Sequence, residues 1–288
     1  MPLLKVIVLA IVQGLAELLP VSSSAHVIIA EKLMGLDPTA PSMTLLLVML
    51  HTGTMFAVIV YFWRTWRDTY FKSVVAFKRF AGLVILATAL TAVIGEVIVK
   101  IIERTLFAGL PHAEIEDLFG HLEIIAPALA AAGILILIAA IFEKRRRAIA
   151  PAAQEMSAQQ AGLIGAVQGL CLPLRGFSRS GATISVGMLA GVAKSRAESF
   201  SFALAVVLTP PVVARELLRL VHAQRIEGTA DLAAAVLPSL LGAVCAFLAG
   251  LVALKWLSQW LEGGRWYLFG VYCLFAAGAV AALHAMGY

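Results

Sequence analysis

The sequence is poor in charged residues. Only 14% of its 288 residues are Asp, Glu, Lys or Arg, whereas 61% are hydrophobic, and the mean hydropathy is +0.94. A soluble domain carries about 25% charged residues, so this composition excludes an ordinary water-soluble globular protein. The formal net charge of +5 does not indicate nucleic acid binding, because the basic residues form short clusters between apolar runs. The composition predicts an all-α polytopic membrane protein.

Cysteine is also scarce. Cys171, Cys245 and Cys273 are odd in number, far apart and in apolar segments, which excludes a disulfide framework and a cysteine metal site. We interpret them as small core residues. A leader peptide is not predicted either, because the N-terminal segment lacks a strong basic region and a small-residue cleavage site. We therefore expect this segment to be retained.

Six apolar runs are long enough to cross a bilayer, which takes about 20 helical residues. The predicted spans are 43–62, 80–102, 123–142, 198–217, 232–254 and 266–285. Two further segments are pairs of short runs, 3–19 with 26–36 and 158–172 with 181–193. Pro20 interrupts the first pair, and Pro173 with Gly176 interrupts the second. Because irregular backbone at membrane depth is tolerated only inside protein or beside water, these segments predict two re-entrant helix pairs.

The two interrupted segments are similar to each other. Gln13-Gly14-Leu15 recurs as Gln168-Gly169-Leu170, and each copy is followed by proline, a serine-containing break and a new helix. Repeat one (about 1–142) and repeat two (about 158–288) of a single membrane domain over 1–288 therefore each contain one broken pair and three spans. Because each half has an odd number of spans, the second half has the opposite orientation in the membrane to the first. This pattern predicts an inverted-topology repeat whose broken helices meet near the membrane midplane.

Basic residues set the predicted orientation. The connections at 63–79 and 143–157 are rich in Lys and Arg, so the positive-inside rule places them in the cytoplasm and both termini outside. The acidic loop at 103–122 then lies on the outer side.

The first break carries polar groups that are costly to bury in a membrane. Gln13 and Glu17 share a helix face, so they can hold a divalent cation, Mg²⁺ or Ca²⁺, or Glu17 can orient an imidazole. The serines at 22–24 are either helix caps or functional hydroxyls. His26 lies in the first turn of the next helix, where the helix dipole keeps an imidazole neutral and available as a base or a nucleophile.

The second break contains Ser178-Arg179-Ser180, followed by Thr183. A guanidinium fork at a helix N-terminus, with Gly176 and Gly181 allowing close backbone approach, predicts a phosphate site. The alternative is that Arg179 forms a buried ion pair with Glu17. We infer a division of labour, with acid, base and nucleophile candidates in the first break and a phosphate clamp in the second.

Together the two breaks resemble the signature segments of the undecaprenyl-diphosphate phosphatase family, the bacitracin-resistance type. The resemblance rests on Q-G-L-A-E-L-L-P-V-S-S-S-A-H and G-F-S-R-S-G-A-T, and extends to the chain length and the S-F-S-F-A-L-A-V run at 199–206. It implies a hydrolase that converts undecaprenyl diphosphate to undecaprenyl phosphate and inorganic phosphate at the outer side of the bacterial inner membrane. This reaction recycles the lipid carrier of peptidoglycan synthesis and confers bacitracin resistance.

The resemblance also implies site residues. The family's catalytic positions match Glu17, Ser23, His26 and Arg179, and its substrate-binding positions match Gln13, Ser22, Ser178, Ser180 and Thr183. Two positions depart from the usual pattern. The first position of E/Q-x-x-x-E is Gln13, which is a weaker cation ligand than the glutamate also found there. The residue before G-x-S-R-S is Arg175 instead of the usual proline, and this replacement can relax the loop or add a positive charge.

We expect Ser23 to be the nucleophile, His26 its base, and Glu17 the group that orients His26 or holds a cation. Within this class of reaction, the alternative nucleophile is His26. From another class, the alternative is a polyprenyl-phosphate transporter or flippase, because inverted repeats with an anion site also suit transport. No organic cofactor and no nucleic acid partner are expected.

The other polar and small residues within the spans are interpreted as structural. His51 in L-H-T-G-T and Glu96 near a span end are expected to be packing or interface residues, and a cavity position for His51 stays open. The pairs Gly165/Gly169 and Gly187/Gly191 predict close helix packing, within the chain or in a homodimer.

Overall fold

The computed structural model describes residues 2–36, 41–106, 122–147, 155–227 and 232–286. Within these ranges the chain forms ten α-helices and no β-strand, as its composition predicts. The helices are α1 Leu3–Leu18, α2 Ser23–Leu33, α3 Pro41–Thr69, α4 Val74–Leu106, α5 Leu122–Arg147, α6 Ala158–Cys171, α7 Arg179–Leu189, α8 Lys194–Glu227, α9 Leu232–Glu262 and α10 Tyr267–Ala285. Most of the predicted acidic loop at 103–122 lies outside the described residues.

Six of the described helices are long and apolar enough to cross a bilayer, namely α3, α4, α5, α8, α9 and α10. Each coincides with one predicted span, which confirms the prediction of an integral membrane protein. For five of the six, however, the predicted bounds are too short. Because α3 runs to Thr69 and α4 begins at Val74, the connection predicted at 63–79 shrinks to 70–73, and α5 likewise continues to Arg147. Helical hydrogen bonding continues past the last apolar turn, since long Lys and Arg side chains reach water from there.

A proline break separates α1 from α2, as predicted. Leu19 precedes Pro20 and has φ −75° and ψ 151°, the extended conformation that a following proline favours. The second helix of the pair begins at Ser23 rather than at the predicted residue 26. The serines of the break are therefore adjacent to α2 or part of its first turn.

The second broken pair, α6 and α7, has the same order around Pro173. Its second helix ends at Leu189, earlier than the predicted residue 193, because Gly191 takes a left-handed conformation with φ 92°. The Val192 N–H then donates to the Gly187 carbonyl at 3.0 Å, which is the bond of a glycine C-cap. Gly191 thus has a capping role, whereas the sequence analysis assigned it to helix packing.

The described helices group into two compact units. The first comprises the described parts of Met1–Leu19, Ser23–Arg64 and Ala205–Leu257. The second comprises the described parts of Pro20–Ser22, Thr65–Leu204 and Ser258–Tyr288. Each unit contains residues from both predicted repeats, so the units do not coincide with the repeats.

In the first unit, α1 packs closely on α9 through small residues. A Cβ placed on Gly14 would lie 2.6 Å from the Ala249 Cβ and 2.7 Å from the Ala246 carbonyl oxygen. Glycine is the residue that allows two helix backbones to approach this closely. The buried cluster beside this contact contains Val6, Leu9, Ala10, Val27, Met43, Leu46, Leu50 and Ala246.

In the second unit, α6 packs on α4 in a similar way. A Cβ on Gly165 would lie 2.5 Å from the Ala87 Cα, and one on Gly169 would lie 2.6 Å from the Thr91 carbonyl oxygen. Polar groups reinforce this contact, because Gln168 Nε2 donates to Thr91 Oγ1 at 3.2 Å. The close packing predicted for Gly165 and Gly169 therefore occurs within the chain.

Replacing Gly165 with alanine is expected to destabilise the second unit. The added methyl group would overlap the Ala87 backbone, and overpacking of this kind costs about 1–3 kcal/mol. The matched control is Gly82→Ala in α4, where a Cβ would meet nothing within 4 Å. Thermal unfolding of the purified variants in detergent tests this, with a lower midpoint expected for Gly165→Ala only. Equal midpoints for the two variants would contradict the close α4–α6 contact.

Candidate active site

Gln13 and Glu17 lie on one face of α1, as their spacing predicts. Gln13 is buried and its Nε2 atom donates to Glu17 Oε2 at 3.3 Å. Because α1 ends at Leu18, Glu17 occupies the last turn, where the helix dipole disfavours a carboxylate. The carboxylate of Glu17 therefore depends on neighbouring hydrogen-bond donors, and Gln13 is the first of them.

Ser23 is the second donor to Glu17. Its hydroxyl group donates to Glu17 Oε2 at 2.6 Å, across the break between α1 and α2. A hydroxyl within hydrogen-bond reach of a base is the usual arrangement of an activated nucleophile. The structure thus brings together three of the predicted residues of the first break, Gln13, Glu17 and Ser23.

The bend that precedes Ser23 is strained. Ser22 has a φ of 68°, and among the described residues it is the one residue other than glycine with a positive φ. Such a conformation costs about 1–3 kcal/mol and persists only where its surroundings impose it, most often at functional sites. Two residues before Ser22, the carbonyl group of Pro20 accepts a hydrogen bond from Cys273 Sγ at 3.2 Å. Ser22 itself is buried, and its predicted role in substrate binding stays a prediction.

A histidine from α3 lies beside Glu17. The Nε2 atom of His51 is 3.8 Å from Glu17 Oε2, and its Nδ1 atom is 2.8 Å from the Leu47 carbonyl oxygen. The sequence analysis expected packing or an interface at His51 and left a cavity position open. The signal for a site residue was its place in a long apolar helix, where an ionisable group is rarely present without a function. No spacing along the chain connects α3 with the first break, so the partner could not be named.

His26 lies in the first turn of α2 and is half-buried. This position agrees with the predicted placement near a helix N-terminus. Its role as base or nucleophile stays a prediction.

The second break positions its polar residues at the start of α7. Ser178 is the N-cap, and its side chain accepts a hydrogen bond from the Gly181 N–H at 3.2 Å. Arg179 is the first residue of the helix and is half-buried. Gly176 has a φ of 97°, and a Cβ there would lie 2.6 Å from the Ile125 carbonyl oxygen, so the loop sits directly on α5. Arg175, where the family usually has proline, is half-buried in the same loop.

Thr183 links α7 to α8. Its hydroxyl group donates to the Arg179 carbonyl at 2.7 Å and lies 2.6 Å from Ser201 Oγ. Since one hydroxyl supplies one hydrogen, Ser201 must donate to Thr183. Thr183 is fully buried, and Ser180 is 3% exposed. This structural bond holds the α7 start in place, and the predicted contact of Ser180 and Thr183 with substrate stays a prediction. Ser201 lies in the S-F-S-F-A-L-A-V run at 199–206, but no motif or spacing in the sequence marks it as a partner of Thr183.

The far end of α7 is fixed as well. Arg146 donates to the Met188 carbonyl at 3.1 Å, and Gln160 donates to the Ala190 carbonyl at 3.0 Å. Both side chains therefore bind backbone carbonyl groups at the C-terminal end of α7. In its middle, Ser185 accepts a hydrogen bond from the Trp266 indole at 3.2 Å. The helix that begins with Arg179 is thus held along its whole length.

A resident metal centre has little support among the described residues, which contain no cluster of three or more His, Cys, Asp or Glu side chains suited to an ion. At Gln13 the amide nitrogen, not the oxygen, faces Glu17. The pair therefore offers an ion a single carboxylate, whereas Mg²⁺ and Ca²⁺ need about six or more oxygen ligands. The cation predicted at Gln13 and Glu17 stays a prediction.

The chain is similar to known proteins over most of its length. Residues 6–280 match the family described as bacitracin resistance protein BacA. The chain is 57% identical over 286 residues to undecaprenyl-diphosphatase 2 of Acinetobacter baylyi, with 98% of each chain covered. It is 34% identical over 285 residues to undecaprenyl-diphosphatase of Desulfosudis oleivorans, covering 94% of this chain and 95% of the relative. It is also 33% identical over 287 residues to undecaprenyl-diphosphatase 2 of Burkholderia orbicola, covering 96% of this chain and 95% of the relative.

A match over most of the chain, together with relatives of this similarity, confirms the resemblance seen in the two breaks. This integral membrane protein belongs to the bacitracin resistance protein BacA family.

Proposed function

We propose that this chain is an undecaprenyl-diphosphatase, a hydrolase that releases inorganic phosphate from undecaprenyl diphosphate and leaves undecaprenyl phosphate. Family membership and the names of the relatives support this substrate. The observation that carries the reaction type is the bond from Ser23 Oγ to Glu17 Oε2 at 2.6 Å. A serine hydroxyl on a partly buried carboxylate, inside a membrane segment, is a costly arrangement that suits nucleophilic phosphoryl transfer.

In the first step Glu17 takes the hydroxyl proton as Ser23 Oγ attacks the terminal phosphorus. The bond between that phosphorus and the bridging oxygen breaks, and the lipid monophosphate leaves with the bridging oxygen and with the proton that Glu17 passes to it, so Glu17 is a carboxylate again. Gln13 Nε2 holds the Glu17 carboxylate in place. The sequence predicts His26 as the base, but Glu17 Oε2 already lies within hydrogen-bond distance of Ser23 Oγ, as proton transfer requires. His26 remains the alternative base or nucleophile.

The start of α7 is assigned the binding of the terminal phosphate. Arg179 offers a planar fork of donors, and the N-terminus of an 11-residue helix adds positive dipole charge. Both favour an anion with several oxygens, because phosphoryl transfer depends mainly on positioning and on neutralising charge. Ser178 shapes this turn as the N-cap.

We assign the two halves an inverted-topology repeat with re-entrant pairs. The support is that each half has two short helices followed by three long ones, in the same order. The small-residue contact of α1 with α9 also corresponds to that of α6 with α4 when the halves are exchanged. We propose in addition that the protein lies in the bacterial inner membrane, with its basic helix ends in the cytoplasm and its site open to the outer side. We also propose that the protein forms a homodimer.

A divalent cation, Mg²⁺ or Ca²⁺, remains part of the proposal as well. Glu17 would supply its protein carboxylate and the diphosphate most of its other oxygens, in the way Mg²⁺ is usually held with phosphates. When bound, the ion would neutralise charge on the diphosphate.

The test is phosphate release from a long-chain polyprenyl diphosphate by the detergent-purified protein. Release without a sealed bilayer supports hydrolysis, whereas activity found only across sealed vesicles would support the transporter. The matched control is Glu17→Gln, which keeps the shape and removes the base, and it is expected to lower kcat by about 10²–10⁴-fold. Release that persists in this variant would assign the activity to another base or to a contaminant.

A further inference from the structure

The bond between His51 and Leu47 determines which nitrogen of the imidazole carries hydrogen. A carbonyl oxygen can only accept, so Nδ1, at 2.8 Å from the Leu47 oxygen, is the protonated nitrogen. In the neutral ring Nε2 then keeps a lone pair. This lone pair belongs to the atom that lies 3.8 Å from Glu17 Oε2.

In this neutral form two acceptor atoms face each other 3.8 Å apart, and neither can donate to the other. A polar separation above about 3.5 Å suggests a bridging water, which can donate one hydrogen to each side. Protein does not seal this gap, since the side chains of His51 and Glu17 are 45% and 18% exposed. In the resting protein Glu17 Oε2 already accepts the hydroxyl hydrogen of Ser23. Once Ser23 carries a phosphoryl group and its former proton has left Glu17 with the lipid monophosphate, the same oxygen can accept a hydrogen bond from water.

We propose that His51 and Glu17 together hold the water that releases phosphate from Ser23. This inference rests on the proposed function and on Ser23 as the nucleophile. The water oxygen attacks the phosphorus and forms a new bond as the bond to Ser23 Oγ breaks. One water proton passes to Glu17 Oε2 and from there to Ser23 Oγ, so inorganic phosphate leaves and the enzyme returns to its starting state. His51 touches the attacking water and keeps its own proton on Nδ1 throughout.

Two substitutions separate the two nitrogens of His51. In His51→Asn the side-chain amide can still donate to the Leu47 carbonyl, but nothing occupies the position of Nε2. In His51→Gln the longer side chain reaches that position with an amide oxygen that can accept from water. The control for α3 is Thr52→Val, which removes a neighbouring hydroxyl whose bond goes to the Val48 carbonyl.

The experiment measures steady-state phosphate release and, after acid quench, the mass of the peptide that contains Ser23. For His51→Asn we expect turnover to fall by about 10²-fold. We also expect one equivalent of lipid monophosphate to form rapidly and the Ser23 peptide to gain one phosphoryl group. His51→Gln should recover part of the turnover and reduce the trapped phosphoserine, while Thr52→Val should match the unchanged protein.

Other outcomes overturn the inference. Normal turnover in His51→Asn would remove His51 from the reaction, and slow turnover without phosphoserine would place its effect before the second step. If His51→Asn unfolds, the same trapped intermediate must appear at a lower level in His51→Gln. A lack of phosphate release by the unchanged protein would instead refute the proposed function itself.

Discussion

Replacing Ser23 with alanine is expected to abolish phosphate release. The substitution removes the proposed nucleophile, and loss of a nucleophile typically lowers kcat by at least about 10³-fold. Binding of the lipid diphosphate should change little, because the proposed phosphate-binding groups lie on α7. The fold should survive, since the change removes one hydrogen bond with a net value of about 1 kcal/mol. Steady-state release and thermal unfolding of the same preparation measure both effects.

The matched control for Ser23 is Ser24→Ala. Ser24 is the next residue of α2, is also half-buried, and tests the general loss of a hydroxyl from this turn. We expect its activity to stay within a few-fold of the unchanged protein. Near-normal release by Ser23→Ala would refute the serine nucleophile and would favour His26, which could then be tested by trapping a phosphohistidine.

Replacing Arg179 with alanine is expected to cause the second largest loss. A preorganised donor aimed at developing charge contributes about 10²–10³-fold to kcat, and a charged donor on phosphate belongs at the upper end. Arg179→Lys should recover only part of the loss, because an ammonium group keeps the charge but not the planar fork. Kinetics over a range of substrate concentrations separates kcat from KM. A fall in kcat shows that Arg179 acts on the transition state.

The control for this guanidinium is Arg145→Ala, which removes an exposed arginine near the end of α5 in the same unit. It should leave both kinetic constants unchanged. Equal losses in Arg145→Ala and Arg179→Ala would indicate a general charge effect, and normal kinetics in Arg179→Ala would place the phosphate clamp elsewhere.

The helices could be predicted from the sequence because their cause is local. Hydropathy over about 20 residues identifies a span, and proline marks a break wherever it removes a backbone donor. The ends were less predictable, as α3 shows. It continues to Thr69 beyond its predicted end at residue 62, because helical hydrogen bonding does not end where the side chains first reach water.

The site was predictable only in part. Spacing of four residues places Gln13 beside Glu17, and this follows from helix geometry alone. The contact between Ser23 and Glu17 depends instead on the positive φ of Ser22, which no local preference of serine predicts. The position of His51 depends on tertiary packing of α3, so its neighbour could not be read from the chain.

The pairing of α1 with α9 has a consequence for biosynthesis. α1 leaves the ribosome long before α9, yet the surface around Gly14 is covered by residues near Ala246 of α9. The partner of α6, by contrast, is α4, which is synthesised before it. Because contacts between distant parts of the chain form late, the surface of α1 around Gly14 stays uncovered until α9 has been made. A truncated chain lacking α9 would leave this surface uncovered.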